Sequence, residues 1–385
     1  MLVLYFYSVN KLTTAEVSRY SRHLNLPGFG HEGQQKLIGS RVLVIGAGGL
    51  GCPALQYLAA AGVGTLGIVD GDLAEESNLQ RQVLYNTSDI GKPKASLAAH
   101  RLTRLNPHVA VQPHVLRLTA HNALELCKAY DLIIDGSDNF PTRYLINDAC
   151  VLLDKPWVYG AVFRYEGQLS VFNTSSAEGR SNTYRDVFPS PPSPGEVLNC
   201  EESGVLGALP GLIGCLMAME AMKLITGTGQ PLRNTLVLWD GLTAASTRVR
   251  TPNGDQRLRV TKLIDYDVFC GLKSEARSAP MKEVTVQELK SMMDTQVDFQ
   301  LIDVREVHEN EAGNLGGELI PMAEVPHNLG KIDKAKKVVV HCRSGGRSGN
   351  IIQWLEKNYG YENLYNLKGG IMAWAKEIDP SVTVV

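Results

Sequence analysis

The sequence predicts a doubly wound α/β domain followed by a second, smaller α/β domain. Two observations carry the first domain: a glycine-rich turn, GAGGLG, set between an apolar strand and a helix, and strand–helix alternation that continues to residue 138. A third carries the second: after the small, charged stretch GLKSEARSAP a new alternating pattern begins. The length of 385 residues, at roughly 150 per domain, leaves room for both.

In chain order, RVLVIG from Arg41 is an apolar strand, GAGGLG the turn, CPALQYLAAAGV a helix and GTLGIVD a second strand, a βαβ unit that opens a Rossmann-like sheet. A helix near 94–105, the strand VAVQPHV, a helix near 122–129 and the strand DLIIDGSD, ending at Asp138, extend it. Strands are expected within WVYGAVFRYEGQLSVF. A long loop follows over 177–200, because Pro189, Pro191, Pro192 and Pro194 exclude helix and central strand. GLIGCLMAMEAMKLITG reads as a buried helix and TLVLWDG as a strand. The expected division is 11–271 for the first domain, 272–280 for a linker and 281–385 for the second, with strands FQLIDV, KVVVHC and LYNL and the helix GNIIQWLEKNYG.

Hydrophobic residues at 44% and charged residues at 20% exclude wholesale disorder, collagen and a disulfide scaffold. A net charge of -2 gives no global pull toward nucleic acid or an anionic membrane, so neither partner is expected. The seven cysteines are odd in number and widely scattered, which reads as reduced thiols in a cytoplasmic protein. The apolar start LVLYFYSV lacks a basic flank and a cleavage site and is read as a packed arm or a disordered start. No stretch has the roughly 18 uninterrupted apolar residues of a membrane span.

Gly46, Gly48, Gly49 and Gly51 form a turn whose backbone could approach phosphate, though such a turn can also merely pack helix on strand. Asp70 ends the second strand, where an acid can accept from a ribose hydroxyl. This much fits a dinucleotide dehydrogenase equally well. The set that follows separates the readings: Asn78 and Arg81 in SNLQRQ, Lys94 in GKPKA, and Asp138 with Asn139. Arg81 and Lys94 can neutralise a leaving pyrophosphate and Asp138 offers a hard oxygen to Mg²⁺, tools that hydride transfer does not need.

RYSRHL (19–24), GAGGLGCP, the Asp70 strand end, SNLQRQ, GKPKA, DGSDN, TRYLINDAC and EGQLSVF resemble the MoeB/ThiF family over about residues 19–271. These are ubiquitin-activating-enzyme-like adenylyltransferases that activate the C-terminal glycine of small ubiquitin-fold sulfur carriers. The resemblance implies ATP, Mg²⁺ and a MoaD/ThiS-like protein substrate. It implies that Gly49, Asp70, Asp72 and Ser77 line the nucleotide, and that Asn78, Arg81 and Lys94 hold phosphates. Asp138 would bind Mg²⁺ beside Asn139, and Arg22 would reach a nucleotide across a homodimer. Cys200 falls where some members carry a cysteine that takes the activated acyl group; it could equally be an inert thiol. Many relatives also hold zinc with two Cys-x-x-Cys pairs. Here Thr183, Asp186, Thr251 and Gly254 stand at those positions, so no zinc site is expected.

In the second domain VVVHCRSGGRSG places Cys342 at a strand end, before a glycine-rich helix start. Backbone N–H groups over Arg343, Ser344, Gly345, Gly346, Arg347 and Ser348, with the two arginines, form an anion cradle suited to a thiolate or persulfide. The domain resembles the rhodanese family through LIDVRE, CRSGGRS and LKGGIMAW, with GNLGGELIPM a looser match. The resemblance implies that Cys342 carries transferable sulfur, drawn from a donor such as a cysteine desulfurase or thiosulfate, and that Asp303 and Arg305 organise the opening strand.

Joined, the halves imply adenylation of a carrier's terminal glycine and conversion to a thiocarboxylate, for molybdopterin, thiamine or tRNA thiolation. Two alternatives stay open: an adenylyltransferase whose rhodanese domain only regulates, and a scaffold for ubiquitin-fold proteins without turnover.

Overall fold

A computed structural model of the chain describes residues 12–176, 179–192, 204–252, 260–272 and 281–384. The apolar N-terminal run, Cys200 with much of the proline-rich loop, Gly254 and nearly all of the expected linker lie outside these residues. The chain divides into two compact units, with the main division between Tyr266 and Asp267.

The first unit is built on an eight-stranded sheet in the order β10-β9-β6-β5-β4-β1-β2-β3. Its strands are β1 (Arg41–Ile45), β2 (Thr65–Val69), β3 (Ala110–His114), β4 (Leu132–Asp135), β5 (Trp157–Phe163), β6 (Glu166–Phe172), β9 (Thr235–Asp240) and β10 (Ala245–Arg250), and a small ribbon pairs β7 (Ser175–Ser176) with β8 (Gly179–Arg180). The β3-β2-β1-β4-β5 half is parallel, whereas β6, β9 and β10 join antiparallel. β1 and β4 are buried along almost their whole length, as expected of central parallel strands covered on both faces. Pro113 sits in β3, at the sheet edge, where a missing N–H removes no ladder bond.

Helices cover this sheet. Gly51–Ala61 ends on the left-handed Gly62, and Phe140–Leu153 starts on Asn139, whose side chain accepts from Thr142 N–H. The helix Ala208–Thr226 is long and apolar enough to cross a membrane by length and composition. It serves instead as a core helix: Leu209, Ile213, Met217, Ala218 and Ala221 join the apolar cluster that includes Leu55, Leu58, Val158 and Leu169. Its Glu220 accepts from Leu232 N–H at 2.9 Å, so the one buried carboxylate in this stretch is satisfied.

The second unit carries a five-stranded, all-parallel sheet in the order β11-β15-β14-β12-β13. These are β11 (Glu283–Val284), β12 (Phe299–Asp303), β13 (Glu318–Leu319), β14 (Lys337–His341) and β15 (Leu364–Leu367). Val338 and Val340 pack in one apolar cluster and Val339 in another, so alternate residues of the central β14 serve both faces and Cys342 follows at its end.

Candidate functional sites

In the first unit β1 leads on one side to β2 and on the other abuts β4, so the strand order reverses between β1 and β4. In open α/β sheets the crevice beyond the strand ends at such a reversal is where ligands bind. The glycine turn follows β1 here, and residues 136–139 follow β4. The two loops touch: Gly46 has φ +92°, and a Cβ on it would come within 2.6 Å of Gly136 O. A Cβ at Gly51 would lie 1.9 Å from Gly46 O, so no side chain fits.

Asp70 holds the turn from below. Its Oδ2 accepts from Ala47 N–H and its Oδ1 from Asp72 N–H, each at 2.8 Å. Burial raises the Asp70 carboxyl above the ordinary aspartate value, opposed by those two N–H groups and by the Lys94 charge. The structure thus gives Asp70 a definite task in shaping the loop. Asp72 is more exposed and pairs with Arg117 at 3.2 Å.

Arg81 and Gln82 flank the turn, close to where Cβ atoms on Gly49 and Gly48 would be. Arg81 Nη1 donates to Ser77 O at 3.1 Å. Asn78 Oδ1 and Gln82 Oε1 are buried without a hydrogen-bond partner, and such atoms call for a ligand or water. Lys94 is buried and begins the helix Lys94–Leu105. Asp138 is exposed and accepts from Asn139 Nδ2 at 3.3 Å, while Asn139 Oδ1 caps the following helix. Arg22 is exposed on the short helix Ser21–Leu24.

This donor set fits a nucleoside triphosphate with Mg²⁺. Mg²⁺ typically takes one or two carboxylates plus substrate phosphates, and Asp138 is an exposed carboxylate on the loop whose Gly136 touches the glycine turn at Gly46.

Two residues near this site had no signal in the sequence. Asp135 is fully buried, accepts from Ser137 N–H at 2.9 Å and Oγ at 2.5 Å, and lies 3.5 Å from Arg143 Nε, a pair that supports the loop carrying Asp138. Tyr85 donates its hydroxyl to Ala47 O at 2.8 Å.

At the positions where relatives are expected to hold zinc, Thr183 and Asp186 form a helix capping box, with Thr183 Oγ1 to Asp186 Oδ2 at 2.8 Å. Thr251 Oγ1 accepts from the buried Asn182 Nδ2 at 2.7 Å, bringing the two segments together by hydrogen bonding. Among the described residues no group of three or more His, Cys, Asp or Glu side chains is arranged to hold a metal ion.

In the second unit Cys342 Sγ lies beneath its loop, 1% exposed. It accepts from Gly345 N–H at 3.2 Å and touches Ser348 Oγ at 3.4 Å. Ser348 donates to Asn366 Oδ1 at 2.6 Å, and Asn366 Nδ2 holds Gly345 O at 3.1 Å. Gly345, at φ +96°, caps the helix Gly346–Tyr359. The LKGG segment contributes from the other side, where Ile371 N–H donates to Cys342 O and Met372 N–H to Arg343 O.

The two arginines of this loop have different roles. Arg343 is exposed at the loop surface with Ser344 and Gly346. Arg347 is buried, its guanidinium donating to both oxygens of Glu309 at 2.7 and 2.6 Å, a brace that the sequence did not indicate. A brace of this kind begins at Asp303, whose carboxylate holds Arg305, which donates in turn to Glu309 O and Gly313 O. Burial would raise Asp303 and Glu309, but hydrogen bonds from Arg305 and Arg347 respectively hold both carboxyls below their ordinary values. Glu309 and Asn366 were not marked in the sequence, because their partners lie 38 and 18 residues away.

A glycine turn at the reversal point of a doubly wound sheet, with a separate unit that holds a cysteine sulfur under a glycine-rich loop, has the form of a nucleotide-using enzyme class equipped for sulfur handling. The chain belongs to the ThiF family, whose model matches residues 20–260, and it carries a rhodanese-like domain over residues 285–377. It is 43% identical over 378 residues to a probable adenylyltransferase/sulfurtransferase MoeZ of Mycobacterium tuberculosis, covering 97% of this chain and 96% of that protein. It is 40% identical to the adenylyltransferase and sulfurtransferase MOCS3 of Drosophila yakuba, covering 97% and 86%. A sulfur carrier protein adenylyltransferase of Thermus thermophilus is 50% identical over 269 residues, 68% of this chain and 99% of that one. In fold, a crystal structure of E. coli MccB with MccA-N7isoASN aligns at TM-score 0.56 and 20% identity, over 66% of this chain and 76% of that one.

Proposed function

We propose that this enzyme adenylates the C-terminal glycine of a ubiquitin-fold sulfur carrier with ATP and then replaces the adenylate by sulfur delivered from Cys342. The observation that supports this most is the presence in one chain of the phosphate-side set around Gly46–Gly51 and the sulfur cradle around Cys342.

The carrier carboxylate attacks the α-phosphate and pyrophosphate leaves. Lys94, Arg81 and the N–H groups of the glycine turn neutralise charge on the phosphates, and Asp138 would hold Mg²⁺, which screens the triphosphate when bound. No protein nucleophile is needed for that step. The terminal sulfur of a Cys342 persulfide then attacks the acyl carbon and AMP leaves, giving an acyl disulfide. Attack of a Cys200 thiolate on Cys342 Sγ releases the carrier thiocarboxylate and leaves a Cys200–Cys342 disulfide, which an external thiol reduces before the next turnover. A cysteine desulfurase or thiosulfate would reload Cys342. We assign a homodimer, with Arg22 reaching the nucleotide of the other copy, and a cytoplasmic setting on the same reading; molybdopterin, thiamine and tRNA thiolation are the candidate pathways.

The test is incubation of the protein with ATP, thiosulfate and each candidate carrier, followed by mass spectrometry of the carrier's C-terminus. Exchange of one oxygen for sulfur is expected with wild type, and Cys342→Ser should keep adenylation but form no thiocarboxylate, since a hydroxyl holds no transferable sulfur. Thiocarboxylate from Cys342→Ser at the wild-type rate would leave the second domain regulatory. Absence of carrier-dependent ATP–pyrophosphate exchange would favour a scaffold.

A further inference from the structure

We propose that Tyr85 is a positioning residue for adenylation, its hydroxyl setting the spacing between the glycine turn and Lys94. This rests on the reading above, in which both elements act on the nucleotide's phosphates.

Three segments of the phosphate side meet at this one side chain. Tyr85 Oη lies 2.8 Å from Ala47 O in the glycine turn and 3.3 Å from Lys94 O at the first residue of its helix. Its own backbone closes the turn that presents Asn78 and Arg81: Tyr85 N–H donates to Gln82 O at 3.0 Å, and Gln82 N–H to Asn78 O at 2.9 Å. The phenol has a single proton, which it shares between the two carbonyls as a three-centre bond, the short arm to Ala47 O and the long arm to Lys94 O. The Ala47 peptide is thereby fixed on both sides, its N–H by Asp70 at 2.8 Å and its carbonyl by Tyr85, with Cys52 Sγ as a weaker donor at 3.2 Å.

The ring is buried in the main apolar cluster of the unit. Burial first, then the neighbouring Cys52 and Asp70, push the phenol upward from its ordinary value. It therefore stays protonated, and a donor, at neutral pH. Phenylalanine would keep the packing but leave the Ala47 carbonyl to a thiol, a poor donor. The turn and Lys94 would then be free to separate by a few tenths of an ångström, a fraction of the roughly 1 Å misplacement that can cost about a hundredfold, which sets the expected loss near tenfold.

The experiment is a double-mutant cycle on the full chain, reading carrier-dependent ATP–pyrophosphate exchange at saturating ATP, with melting curves for each variant. Tyr85→Phe should lower kcat about tenfold, with a melting temperature within a few degrees of wild type. In a Lys94→Ala background the same change should cost less than about twofold, because the spacing it maintains no longer serves a cation. Cys52→Ala, which removes only the weaker donor, should stay within about twofold of wild type. Wild-type kcat for Tyr85→Phe, an equal loss in both backgrounds, or a Cys52→Ala loss as large as that of Tyr85→Phe would overturn the proposal. Full exchange by Lys94→Ala would instead overturn the adenylation reading on which it rests.

Discussion

Arg347 and Glu309 are joined by two hydrogen bonds of 2.7 and 2.6 Å, with both side chains 9% exposed. The pair fastens the helix that follows the Cys342 loop to the helix Val307–Ala312. Removing one partner of such a pair strands the other charge away from water. Glu309→Ala is therefore expected to cost the second unit about 3–5 kcal/mol. Thiosulfate sulfurtransferase activity should fall with it, while ATP–pyrophosphate exchange is kept. A melting curve and the two assays on one preparation check this; an unchanged sulfurtransferase rate would show that the brace does not shape the sulfur loop.

His341 supplies a pH dependence. It is fully buried, and burial pushes it down to about 4 against a smaller opposing hydrogen bond with the Cys342 backbone. Asp303, 3.9 Å away, opposes that shift and Arg305 reinforces it. Between the ordinary histidine value of about 6.5 and the folded value of about 4 the unfolded chain binds the extra proton, so stability rises with pH across this window and is lost as pH falls through it. The loss should reach a few kcal/mol, on the order of 3. Asp303 and Glu309 add a separate loss at lower pH, since their folded values lie below the ordinary carboxylate range. Melting of the second unit followed from pH 7.5 to 5 should show the first effect, and His341→Phe should flatten it; an equally steep dependence in that variant would remove His341 as its source.

Asp138→Ala should lower carrier-dependent ATP–pyrophosphate exchange by at least about a hundredfold if Asp138 holds Mg²⁺ as proposed, because the ion that screens the triphosphate would lose its carboxylate ligand. Sulfurtransferase activity of the second unit should be unaffected. Near-wild-type exchange would sink the assignment of Asp138.

Where relatives are expected to hold zinc, the Asn182–Thr251 hydrogen bond should be sufficient here. Purified protein is expected to contain well below one zinc per chain and to melt at the same temperature with and without chelator. Thr251→Val, which leaves the buried Asn182 amide short of an acceptor, should cost about 1–3 kcal/mol. Stoichiometric zinc by metal analysis would refute this account of the lobe.

The sequence by itself determined the parts whose signals are local. Apolar runs of strand length, the glycines at 46 and 51, the helix signals after residues 93 and 139, and the CRSGGRS loop are written in neighbouring residues, because backbone conformation and side-chain periodicity depend on short stretches of chain. That was enough for the order of elements and for Lys94, Asp138 and Cys342 as candidates. It was not enough for partners. The antiparallel joining of β6, β9 and β10, the commitment of Asp70 to the backbone of the glycine turn, and the bracing of Arg347 by Glu309 each depend on groups distant in sequence. The same holds for Tyr85, 38 residues from the carbonyl it holds, and for Asn366, 18 residues from Ser348. Most buried polar groups are paired by whatever partner the packed chain brings to them, so the contact is fixed only when the fold closes. Tertiary structure thus decided which cation braces, which tyrosine positions and how the sulfur is covered, while residue type and spacing alone had fixed what chemistry the chain could attempt.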